Sequence, residues 1–122
     1  MLIITLESEL RGLRGLASQD DAANWRILVR DKLKSVQRAL RASGAELPVE
    51  EAWLSARESA NDRIRARLEA RTAAMSQTIL TRLDTSRINL DLNRLMADLQ
   101  HYVQRTHDVN LDAVALELGG SE

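Results

Sequence analysis

Cysteine is absent from this chain of 122 residues, which excludes disulfides, thiolate zinc sites and thiol catalysis. Phenylalanine is absent as well, and Trp25, Trp53 and Tyr102 are the only aromatics. A core so poor in aromatic bulk must be aliphatic, mainly Leu with Ala as spacer, the composition that suits helix-on-helix packing. Proline occurs once, at Pro48, and glycine five times, so few residues interrupt a helix. No run approaches the ~20 apolar residues of a membrane span. The opening stretch 1–6 is too short for a signal peptide and has no basic leader. Neither sign of charge is in excess: 17 basic and 18 acidic residues give a net charge of −1, with no global pull toward nucleic acid or acidic membranes. These absences predict a soluble, cytoplasmic protein. The 15 Arg against 2 Lys read as the composition of a GC-rich bacterial genome.

What the chain has is helical periodicity. The stretch 48–84 predicts one exceptionally long helix, with Pro48 at its first position and Glu50 and Glu51 in its first turn. It would span roughly 55 Å and serve as the spine of the fold. Within it Trp53, Ile64 and Met75 recur every eleven residues, as do Leu68 and Ile79, the spacing of a straight or slightly right-handed rod. Its middle is alanine-rich, with Arg63, Arg67 and Arg71 along one side, and is expected to project into solvent or meet a second chain.

A first helix is predicted over 2–17, where Leu6, Leu10, Leu13 and Leu16 follow at spacings of three and four, and the β-branched Ile3, Ile4 and Thr5 leave a short strand open at its start. Gly12 and Gly15 weaken it by about 1 kcal/mol each. Ser18, Asp20 or Asp21 is a candidate cap for a second helix over 22–43, closed by Gly44. Trp25, Val29, Leu33, Val36 and Leu40 form its apolar stripe. Arg26, Arg30, Lys34, Arg38 and Arg41 lie beside that stripe in an arc of roughly 120°. The last helix begins after Asp84-Thr85-Ser86, each a plausible cap, and runs to about Thr106. Its Ile88, Leu92, Leu95, Leu99 and Tyr102 fit a coiled-coil seam, and Asp84, Asp91 and Asp98 each precede a basic partner by three residues. Beyond it, Val114, Leu116 and Leu118 fit either a continued helix or one face of a strand.

Chemical motifs are scarce. His101 and His107 are six residues apart and point to different helix faces, unlike the i,i+4 pair or Glu-x-x-His of metal-binding helices. Glu50, Glu51, Glu58 and Asp62 lack the paired E-x-x-E/D spacing with which all-helical nucleotide pyrophosphohydrolases hold magnesium. No G-x-S-x-G and no Gly-rich phosphate loop occurs. The terminal Gly119-Gly120 resembles the end of a ubiquitin-like sulfur carrier only superficially, because those are β-grasp folds. The basic stripe of the second helix fits phosphates, but in a chain of net charge −1 it reads more readily as pairing with Asp84, Asp91, Asp98 or the acidic tail.

The fold predicted is therefore all-α: an elongated bundle of three or four helices over residues 1–107, built on the helix 48–84, with an acidic, partly flexible tail at 108–122. The function predicted is a non-enzymatic helical interaction module, a subunit or adaptor/regulator of a larger assembly. It is expected to form a homo-oligomer, a dimer favoured, or to bind a protein partner, with no cofactor, no metal and no membrane contact. The candidate protein-partner surface is Arg63, Arg67, Arg71, Val114, Leu116 and Leu118. The alternative is nucleic-acid binding through Arg26, Arg30, Lys34, Arg38 and Arg41, and the third reading is a metal-dependent helical hydrolase.

Overall fold

An apolar residue every three or four positions makes one sticky face per helix, and four such helices bury those faces against each other. The computed structural model describes the backbone of residues 2–18, 24–44 and 52–119, and the side chains over 3–18, 24–44 and 59–109. Four α-helices account for nearly all of it: α1 (Leu2–Ala17), α2 (Trp25–Ser43), α3 (Ala52–Thr78) and α4 (Thr85–Gly119). Each packs on its neighbours in sequence, and α1 closes the ring against α4. Neighbours in sequence are antiparallel: Trp25 meets Leu16 where Lys32 meets Glu9, Arg26 meets Ile79 where Arg41 meets Glu69, and Asn61 meets Thr106 where Arg71 meets Asp98. The protein is thus an all-α helical bundle, and none of its described helices is long and apolar enough to cross a membrane.

The core is the aliphatic one the composition requires. Ile3, Leu6, Leu10 and Leu13 of α1 meet Trp25, Val29, Leu33, Val36 and Leu40 of α2. The whole seam of α4, Ile88, Leu92, Leu95, Leu99 and Tyr102, is buried against them. Each such aliphatic side chain contributes about 1.5–3 kcal/mol on leaving water. Among the described side chains of α3 and the turn after it, Leu68, Thr72, Ser76 and Ile79 are buried. The two hydroxyls are satisfied within the helix, Thr72 Oγ1 donating to the Leu68 carbonyl at 2.6 Å and Ser76 Oγ to that of Ala73 at 2.9 Å.

The ends of the elements differ from expectation. α3 stops at Thr78, not Asp84, and at 27 residues it is shorter than α4 at 35, so α4 is the longest element among the described residues. Backbone bonds from Thr81 and Arg82 to the Thr78 carbonyl fold the chain into a turn there. Pro48, Glu50 and Glu51, assigned to the helix start, lie outside the described residues, as do Asp20, Asp21 and Gly120. α4 does not end near Thr106 but continues helically to Gly119, through the positions of Val114, Leu116 and Leu118. Those three side chains lie outside the described set. Of the three cap candidates Asp84 takes the role, with Thr85 and Ser86 inside α4, its Oδ1 accepting from the Arg87 N–H at 3.2 Å. Ser18 closes α1 instead of starting α2, its Oγ donating to the Gly15 carbonyl at 2.9 Å.

The glycines serve different ends. Gly44 has φ −72°, so it is not a left-handed cap. A Cβ there would lie 2.6 Å from Arg65 Cζ, and its absence makes room for the arginine that pairs with Glu69 at 2.6 Å. Gly15 faces open space with an ordinary negative φ. Gly15→Ala is therefore expected to stabilise the protein by about 0.5–1 kcal/mol, read as a higher urea midpoint with an unchanged slope.

Candidate functional site

The eleven-residue spacing on α3 places two apolar stripes side by side. Leu68 and Ile79 enter the core. Ile64 and Met75 pack only partly against it and line an outer groove between α3 and α4. Three adjoining depressions make up this groove. The first, about 230 Å³, lies between Ile64 of α3 and Arg105 and Val109 of α4. The second, about 350 Å³, is bounded by Ile64, Arg67, Leu68, Arg71, Asp98, His101 and Arg105. The third, about 360 Å³, is bounded by Arg71, Met75, Arg82, Asp91, Arg94 and Leu95, among others. Ile64 and Arg105 are common to the first two, and Arg71 to the second and third, so the three form one row, which the Arg71–Asp98 pair crosses between the second and the third. The row follows α3 from Ala60 to Thr78, roughly 27 Å at the helical rise.

Five arginines and three aspartates edge the groove, and their pairing decides its charge. Arg71 Nη1 donates to Asp98 Oδ2 at 2.6 Å and Arg82 Nη2 to Asp91 Oδ2 at 2.7 Å. The bond from Arg82 holds the Asp91 carboxyl below the usual carboxylate range, helped by the charges of Arg82, Arg87 and Arg94. These contacts replace the i,i+3 pairs expected within α4. Asp108 accepts from Gln104 Nε2 at 3.3 Å. Arg67, Arg94 and Arg105, all exposed, have no carboxylate partner among the described residues. The result is a furrow with an aliphatic floor and a positive rim. Arg63 is exposed on α3 and lines none of the three depressions.

The side chains of the basic stripe of α2 have different partners. Arg26 is structural: its Nη1 donates to the Ile79 carbonyl at 3.0 Å and also to the Arg82 carbonyl, while Nη2 donates to Thr85 Oγ1 at 3.1 Å. It thereby closes the carbonyl end of α3 and the turn into α4. Arg41 pairs with Glu69 of α3 at 3.2 Å, and Arg30 with its neighbour Asp31 at 3.2 Å. Arg38 donates to Ser35 Oγ at 3.2 Å, and Lys34 is exposed with no polar partner among the described residues. The expected pairing of this stripe with Asp84, Asp91 and Asp98 is not what the fold makes, because those acids face α3, the turn and their own helix.

The histidines do lie on different faces. His101 borders the middle depression, whereas His107 meets Glu7 of α1. A polar knot closes the far end of the core. Ser43 Oγ spends its proton on the Leu40 carbonyl at 2.7 Å, so the Tyr102 hydroxyl donates to Ser43 Oγ at 2.8 Å. Thr106 Oγ1 bonds the Tyr102 carbonyl and accepts from Asn61 Nδ2 at 2.9 Å. Burial pushes the Tyr102 phenol above its ordinary range, against the opposing pull of its bonds with Ser43 and Thr106. This knot ties the section of α3 around Asn61 to α4.

Of the residues predicted from sequence, Arg67 and Arg71 lie on the groove, beside Arg94 and Arg105, which sequence reasoning missed. The signal was present. Arg94 and Arg105 are eleven residues apart, the same spacing as Ile64 and Met75 opposite. Comparison of this chain with protein-family models, with curated proteins and with solved structures finds no match, so its groove is read on geometry and charge alone.

Proposed function

We propose that the protein is a non-enzymatic interaction module, a small subunit or adaptor that holds another protein segment in the groove between α3 and α4. One observation carries the reading. Half-buried Ile64 and Met75 line a row of adjoining depressions whose Arg67, Arg94 and Arg105 are left without carboxylate partners among the described residues. Apolar area gives such a surface affinity, and the charged rim gives it register and partner choice. The side chains there supply recognition chemistry: guanidinium forks for carboxylates and aliphatic area for a nonpolar face.

Size-exclusion chromatography with light scattering, monitored at 260 and 280 nm in low salt, tests this reading. The protein is expected to elute with protein partners or as an oligomer, without excess absorbance at 260 nm. The triple variant R67E/R94E/R105E is expected to elute as a folded monomer. Co-eluting nucleic acid removed by salt, and by reversal of Arg30, Lys34 and Arg38 but not of the groove arginines, would overturn the reading in favour of the α2 face.

A further inference from the structure

We infer that the groove's occupant is an acidic amphipathic helix, a conclusion that rests on the reading of this face as a docking surface. Length, apolar pattern and charge converge on it. The furrow is bounded by two antiparallel helices and runs along α3 from Ala60 to Thr78, about five turns of a helix. An extended strand would find no sheet edge there to extend, whereas a third helix can lie in the cleft between two others. The apolar contacts on α3, Ile64 and Met75, are eleven residues apart, about 16 Å along the axis. They are matched by residues three turns apart on an incoming helix. A ligand helix with apolar residues at i, i+4, i+7 and i+11 presents one stripe to the half-buried Ile64 and Met75.

Charge selects the sign of the partner. Arg71 and Arg82 are occupied by Asp98 and Asp91. Arg67 and Arg105 flank the middle depression and Arg94 the third. These three guanidinium groups are each able to take a carboxylate through two parallel hydrogen bonds. A helix whose polar flanks carry Glu or Asp meets them with complementary charge. A basic helix would set like charges against an already positive rim, which costs affinity and suppresses wrong partners.

The test is selection on the full chain from a display library of helical peptides of about 18 residues, randomised at the polar and apolar positions alike. Peptides enriched on the wild type are expected to be net acidic, with the i, i+4, i+7, i+11 apolar stripe. Their affinity should fall about tenfold or more for R67E/R105E and at high salt, and be unchanged for the α2 variant K34E. Enriched peptides that are neutral or basic, insensitive to R67E/R105E yet lost with M75D, would overturn the acidic partner while leaving the groove a docking surface. Absence of enrichment, or binding indifferent to M75D as well, would overturn both. A chain dimer that R67E/R105E dissociates would seat a second copy in the groove and overturn the peptide partner. Unchanged circular dichroism of both variants excludes loss of fold as the cause.

Discussion

Replacing Leu92 by alanine is expected to lower the free energy of unfolding by about 2–5 kcal/mol. Leu92 is fully buried in the seam of α4, where Ile88, Leu95 and Leu99 share one cluster with the apolar stripes of α1 and α2. Removing its isobutyl end forfeits transfer free energy and leaves a cavity that a close-packed aliphatic core relaxes into only partly. Against a typical domain stability of about 5–15 kcal/mol this is a large share. Leu90, two residues earlier on the same helix, is 44% exposed, and L90A is expected to cost less than about 1 kcal/mol. Urea denaturation of the two variants reads both values. Equal losses would mean that the heptad seam of α4 does not face the core.

The second large effect is at Arg26. R26A is expected to destabilise the protein by about 2–3 kcal/mol, because the part-buried guanidinium serves two backbone carbonyls and a threonine hydroxyl at once. Lysine should not rescue it. An ammonium on a flexible stem cannot hold the same fork of acceptors across the turn. K34A, on the same stripe of α2, is expected to change stability by less than about 0.5 kcal/mol, as an exposed side chain with no polar partner among the described residues. If R26A and K34A prove equally mild, the α3–α4 turn is not held by α2. Both measurements are chemical denaturation, with salt kept constant so that surface screening does not differ.

The contrast between those two residues shows what a linear reading can and cannot deliver. The α4 seam and the α1 and α2 stripes were legible because one apolar face per helix leaves one way to face a core. α3 was harder. Its Leu68/Ile79 and Ile64/Met75 repeats have the same period, and only the packing of neighbours decides which enters the core and which lines the groove. Its end at Thr78 has no Gly or Pro to announce it. The turn is built from bonds to the Thr78 carbonyl and from Arg26, which is distant in sequence. The basic stripe of α2 looked like one surface because periodicity fixes direction, not partners. Arg26 and Arg41 turn out to bridge to the turn and to α3. Arg67 and Arg71 were visible as a stripe, while Arg94 and Arg105 were hidden behind the stronger heptad signal of their own helix.

Methyl NMR of the full chain tests most directly whether the α3–α4 groove is the binding surface. Ile64 and Met75 carry methyl groups in the groove, and the exposed Ile27 and Leu28 carry reporters on α2. On titration with an acidic amphipathic helical peptide, the methyl signals of Ile64 and Met75 are expected to shift and saturate while those of Ile27 and Leu28 stay in place. On titration with a DNA duplex of about 20 base pairs, whose phosphates would need a basic face to bind, none of the four is expected to move. Shifts confined to Ile27 and Leu28, with either probe, would contradict the account and return the binding surface to α2.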